Sequence, residues 1–142
     1  MEILTVQEVE FLAFRLAREH LSFDEPIPNF STRFPNVLES CLVTPFMRFE
    51  GKFLYPSLAA RGSILFYLLI KNHSFQNGNK RIAITTLLLF LSKYKKWLIV
   101  DAQKFYNFTV WVAQSQAEFK DEVVTAIEKF IKNHLVKPEA KN

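Results

Sequence analysis

Between residues 73 and 81 the chain sets His73, Ser74, Phe75, Gln76, Asn77, Gly78, Asn79, Lys80 and Arg81 in a row. At Gly78-Asn79 the chain must turn from a loop into a helix, and the first backbone N–H groups of that helix have no partner within it. Such an end binds anions. Lys80 and Arg81 add positive charge in the first turn, where the helix dipole disfavours it, and a bound polyphosphate would relieve the conflict. His73 stands six residues before Asn79, and a neutral imidazole held near a phosphate can take a proton from a hydroxyl near pH 7. Phe75, flanked by polar residues, reads as an apolar pin that holds the loop against the core. The chemistry these residues suggest is removal of a hydroxyl proton beside a bound polyphosphate.

Two apolar stretches, Ile64 to Ile70 and Ile82 to Leu91, flank this loop and predict buried helices at the centre of the fold. The first follows Pro56, suited to a first helical turn, and runs to about Lys71; the second starts near Asn79 and ends around Lys93 to Lys96. Upstream, Thr5-Val6-Gln7-Glu8 matches a capping box, with Val9, Leu12, Phe14 and Leu16 at roughly helical spacing to about His20. Asp24 to Pro28 is a loop, and Thr32 to about Val43 a second helix opening near Pro35. Phe49, Phe53 and Tyr55 fall at alternate positions around Glu50-Gly51, the pattern of a short hairpin or flap between Phe46 and Tyr55. Asp101 can cap a helix through about Gln114, and a last amphipathic helix runs from about Ala117 to Leu135. The expectation is an all-α, compact bundle of about six helices with a β-hairpin-like flap before the central helix. One domain is expected over residues 1–142, with a core at about 5–135 and a frayed tail at 136–142.

The 142 residues are about half apolar with average charge, which excludes a disordered or fibrous class. Cys41 is the single cysteine, so neither an internal disulfide nor a cysteine-rich zinc site is available, and a reducing compartment fits. No secretory signal is read at the start, and the apolar stretches are too short to span a bilayer, so the expected location is cytoplasmic with no membrane partner. A net charge of +4 suits nucleic acid, an acidic protein or a polyphosphate alike. No nucleic-acid recognition motif is present, which disfavours the first. His20 and His134 read as helix-end cations, Lys93, Lys95 and Lys96 as surface charge, Cys41 as a small buried residue, and the fifteen phenylalanines as core filling.

The nine residues from His73 resemble the Fic/Doc motif, commonly written H-x-F-x-[D/E]-[G/A]-N-[G/K]-R. His73, Phe75, Gly78, Asn79, Lys80 and Arg81 match it, and Asn77 departs, standing where most members carry an acid that helps bind Mg2+. The resemblance implies His73 as the base that deprotonates a target hydroxyl, and Gly78, Asn79, Lys80 and Arg81 as holders of the phosphates of ATP or another nucleoside triphosphate. Asn77 becomes a candidate Mg2+ ligand without the charge that a hard cation prefers. The flap residues Phe49, Glu50, Gly51, Lys52 and Phe53 would dock the target segment by main-chain pairing.

Lys80 replaces the more usual glycine, and Ile84 stands three beyond Arg81 where AMP-transferring members often carry a second arginine. Both make the site more similar to the Doc, death-on-curing, subgroup, which turns the nucleotide around and moves its terminal phosphate. The implied function is a toxin that phosphorylates a Ser or Thr of a translation component, elongation factor Tu being the substrate the subgroup suggests. Fic-type AMP transfer and a catalytically impaired binding module are the alternatives. Autoinhibited members carry [S/T]-x-x-x-E-[G/N], and no Ser or Thr here has Glu four residues later. A separate inhibitor protein, a cognate antitoxin, is therefore implied.

Overall fold

The computed structural model describes residues 3–20 and 27–136. Most of the Asp24 to Pro28 loop and the tail beyond residue 136 lie outside them. Among the described residues there are six helices, three short 3-10 turns and two short antiparallel strand pairs.

Helix α1 runs from Val6 to His20 in three consecutive segments, Val6–Glu8, a π-helical Val9–Phe14, and Arg15–His20. Its start is the capping box that the sequence predicts: the Glu8 N–H donates to Thr5 Oγ1 (3.1 Å) and the Thr5 N–H donates to Glu8 Oε1 (2.9 Å). The wider π turn shifts the inward face from the predicted one. Val9, Ala13, Phe14 and Ala17 are buried, while Leu12 and Leu16 are exposed.

Helix α2 spans Val37–Val43, beginning later than the Thr32 expected from the sequence. Two constraints delay it. Phe34 precedes Pro35, which disfavours helical backbone there, and the Phe34 N–H donates to the Ser74 carbonyl at 2.9 Å, drawing this segment onto the loop at residue 74. Asn36 then takes a left-handed φ of 67° before the helix can open.

Strands β1 (Arg48–Phe49) and β2 (Lys52–Phe53) form the expected hairpin, with Glu50 and Gly51 both at positive φ in its tight turn. Arg61, almost fully buried, fixes it to the body: its guanidinium lies 4.4 Å from the Phe53 ring and 5.2 Å from the Phe46 ring, while Arg48 stands 4.3 Å from Phe53.

Helix α3 (Leu58–Lys71), capped by Ser57, is buried continuously from Arg61 to Ile70 and is the centre of the molecule. Pro56 lies ahead of the cap rather than in the first turn. Helix α4 (Asn79–Ser92), α5 (Ala102–Gln114, capped by Asp101) and α6 (Lys120–His134) pack around it. At Gly62 three helices pack closely: a Cβ there would lie 3.2 Å from Leu87 and 3.3 Å from Ile131. Strand β3 (Trp97–Leu98) pairs with β4 (Leu135–Val136) and ties the end of α6 to the segment after α4. The last helix is correspondingly preceded by a 3-10 turn, Ala117–Phe119. Lys93, expected as surface charge, instead bonds both carboxylate oxygens of Glu8 (2.9 and 3.1 Å), joining the end of α4 to the capping box of α1.

Candidate active site

Helices α3 and α4 meet at a loop of seven residues, and the local sequence explains its shape. Lys71 ends α3, and its ammonium donates to the carbonyls of Ala113 (3.1 Å) and Ser115 (2.5 Å), the last turn of α5. His73 then takes a left-handed φ of 50°, an uncommon conformation for a non-glycine residue. The turn leaves His73 exposed and sends Ser74 and Phe75 inward. The Phe75 ring is fully buried against Phe14 of α1 (5.4 Å between centroids) and Phe30 (5.6 Å), so the loop is pinned to two distant parts of the chain.

The return into α4 depends on two residues. Gly78 is the N-cap at φ 82°, and a Cβ on it would lie 2.6 Å from Ile27 Cγ1, so both backbone conformation and space require glycine. Asn79 clamps the loop from the first position of the helix: its Oδ1 accepts from the Phe75 N–H (3.0 Å) and its Nδ2 donates to the Phe75 carbonyl (2.7 Å). The side chain that the motif suggests as a phosphate ligand is thus engaged in shaping the loop, and a helix start is in general a place where backbone N–H groups can meet an anion.

The result is a cavity of about 320 Å³ lined by Ile70, His73, Gln76, Asn77, Gly78, Asn79, Lys80 and Ala113. It brings together the imidazole, the amide of Asn77, the helix start and the Lys80 cation. Arg81 is not among the lining residues and is 4 % exposed. Phe49, Glu50, Gly51, Lys52 and Phe53 are also outside the lining. Their anchor Arg61 is ten residues before Lys71, roughly 15 Å along the helix axis at ~1.5 Å per residue. Ile84 is buried and lines a separate apolar cavity with Leu88, Trp97 and Phe105. Gln76 and Ala113 were not singled out from the sequence. Gln76 is one of the unspecified positions of the motif, and Ala113 carries no signal of its own, since only the Lys71 bonds bring the end of α5 to the loop.

Beneath the loop, Cys41 of α2 is fully buried; burial pushes its thiol up to about 11, against the opposing pull of the Ser74 and Asn72 side chains beside it.

A model of the Fic/DOC family matches residues 3–91, which takes in α1 to α4 and the whole cavity loop. The chain belongs to the Fic/DOC family. No curated protein and no solved structure matches it. Members of the Fic/DOC family are in general transferases that modify proteins, and the helical architecture is that of the Fic fold. The matched span ends at residue 91, so α5 and α6, including the Ala113 wall, lie beyond it.

The family's use of Mg2+ can be weighed against the donors present. The cavity lining offers an imidazole, three side-chain amides and an ammonium but no carboxylate, and among the described residues no group of three or more His, Cys, Asp and Glu could hold a metal ion. Mg2+ favours carboxylate and phosphate oxygens. These residues do not make a Mg2+ site of their own. No described helix is long and apolar enough to cross a membrane.

Proposed function

We propose that this Fic/DOC chain transfers the terminal phosphoryl group of a nucleoside triphosphate to a Ser or Thr hydroxyl of a protein. The observation that carries the reading is that His73 and the start of α4 at Gly78 to Lys80 line one cavity. The phosphates sit against the first-turn N–H groups and the Lys80 ammonium, which offset their charge and that of the transfer state. The target hydroxyl enters from the His73 side. Its oxygen forms a bond to the terminal phosphorus as the bond from that phosphorus to the bridging oxygen breaks, His73 accepts the hydroxyl proton, and the nucleoside diphosphate leaves. Lys80 in the place of the common glycine and Ile84 in the place of a second arginine favour this Doc-like course over AMP transfer. A basic chain without the internal inhibitory pattern would be held in check by a separate antitoxin, an acidic-tailed inhibitor. A translation component such as elongation factor Tu is the proposed target, in the cytoplasm.

Incubation with γ-labelled and α-labelled ATP separates the possibilities. Label on the target from the γ position supports phosphoryl transfer, and label from the α position means AMP transfer. If neither appears across several nucleotides and targets, the chain is a binding module, a reading to which the carboxylate-free cavity would then contribute. His73→Ala should abolish transfer and growth inhibition while leaving polyphosphate affinity within about twofold, since it removes the base and not the anion donors.

A further inference from the structure

The helices that build the His73 cavity carry no acid. Between Glu50 and Asp101 the chain has neither Asp nor Glu, and the next acid after Asp101 is Glu118. Helix α3, the motif loop, α4 and α5 all fall within those two gaps. Asn77 is therefore more than an isolated exchange of an acid for an amide, because no other residue of these elements can make up the missing carboxylate. Glu8, an acid that does contact α4, lies at the opposite end of that helix, bonded to Lys93. Cations, by contrast, gather at the loop. Lys80 lines the cavity, Arg81 is fixed in the same first turn of α4, and the Lys71 ammonium is bonded to the carbonyl of the wall residue Ala113.

Such a set of groups discriminates between two forms of one ligand. A polyphosphate carrying Mg2+ has lost part of its negative charge and brings a shell of waters, because the ion gives up its water reluctantly. Those waters donate hydrogen bonds and need acceptors, and a carboxylate both accepts them and balances the ion's charge. An ammonium and backbone N–H groups can only donate. The side-chain acceptors in the lining are neutral, the amides of Gln76 and Asn77 and the imidazole, and the Asn79 amide is already engaged by the Phe75 backbone. The metal-free anion meets the reverse situation. All its oxygens accept, the donors at the start of α4 suit them, and its full charge lies beside the Lys80 ammonium.

We propose that the cavity takes its polyphosphate as the metal-free anion, with the Lys80 ammonium in the role of the divalent ion, and that Mg2+ competes with the site for the same phosphate oxygens. This rests on the anion-site reading given above. It fixes the sign of the metal's effect: Mg2+ weakens binding to this chain.

The test is calorimetry of tripolyphosphate and of ATP on the full chain, in EDTA and in excess MgCl2 at matched ionic strength. Both anions should bind about fivefold more tightly in EDTA, the worth of one charge pair at contact distance in water. Lys80→Gln, which keeps most of the side-chain stem, should weaken the metal-free anions by about 10- to 100-fold, the range for losing a charge-assisted hydrogen bond, and Lys80→Arg should retain them. Asn77→Asp should reverse the sign, so that MgCl2 tightens binding, because a carboxylate then faces the ion and repels the bare anion. The sign in the unaltered chain is decisive whether or not the variants fold. If MgCl2 tightens binding there or leaves it unchanged, the proposal fails while the anion site stands. If Lys80→Gln binds the metal-free anions as tightly as the natural chain, Lys80 does not balance their charge and the proposal fails likewise. If neither anion binds under either condition, the anion-site reading falls and takes this one with it.

Discussion

Asn79→Ala removes both bonds that close the loop onto α4, the one from the Phe75 N–H at 3.0 Å and the one to the Phe75 carbonyl at 2.7 Å. Phe75 is fully buried, so its backbone groups have little access to water once the amide is gone. Each unsatisfied group costs about 1–3 kcal/mol, and some local opening will recover part of that, so the loss should be about 2–4 kcal/mol. For a chain of this length that is a fall in Tm of roughly 4–16 °C. The measurement is urea unfolding followed by circular dichroism, paired with calorimetry of tripolyphosphate binding. Asn79→Asp is the informative companion. It keeps an acceptor for the Phe75 N–H but turns a second oxygen toward the Phe75 carbonyl, so its stability should fall between alanine and the natural residue, while its charge at the helix start weakens anion binding. A loss of stability below about 0.5 kcal/mol in Asn79→Ala, with polyphosphate affinity down tenfold or more, would refute the clamp and make the amide a direct ligand.

Gly78→Ala should cost about 2–5 kcal/mol, because alanine is strained at φ 82° and its Cβ meets Ile27 at 2.6 Å; equilibrium unfolding measures it, and a loss under about 1 kcal/mol would mean that the loop relaxes freely. The Glu8 carboxyl feels burial most, which raises it, yet the Thr5 N–H and the Lys93 ammonium outweigh burial and hold it below the usual range. A depressed folded pKa contributes stability above the unfolded value and loses it as pH falls through the folded one, so Glu8→Gln should flatten the decline of stability below about pH 4.3 and cost about 1 kcal/mol at pH 7; parallel acid titrations of unfolding decide it. Cys41, with its thiol pushed up to about 11, should be about one-thousandth thiolate at pH 8 and label with Ellman's reagent only on unfolding; rapid labelling of the native chain would contradict its burial.

Local signals made much of this legible. The capping box at Thr5 to Glu8, the Asp101 cap and the Glu50-Gly51 turn act within four residues of themselves, and each appears where the residues place it. Continuous apolar runs identified α3 and α4 as central because such helices can only be buried. Where contacts from far along the chain compete, the reading fails. The bond from Phe34 to the Ser74 carbonyl delays α2, the π turn in α1 exchanges Leu12 and Leu16 for Ala13 and Ala17, and β3 pairs with β4 across two intervening helices without any hairpin signal.

The sequence by itself determined which residues stand together around the loop: His73, the glycine-to-helix turn at Gly78-Asn79 and the Lys80 cation are set by spacing of a few residues, short-range spacing survives folding, and all of them line one cavity. Tertiary structure alone decided what surrounds them. The Asn79 amide is engaged by the Phe75 backbone, Arg81 is buried outside the cavity lining, and the hairpin anchor stands at the far end of α3. The cavity's remaining wall comes from Ala113, forty residues away from His73, because one lysine ammonium reaches two carbonyls at the end of another helix. A side chain's partner depends on which elements pack beside it, and that choice is made by the whole core at once.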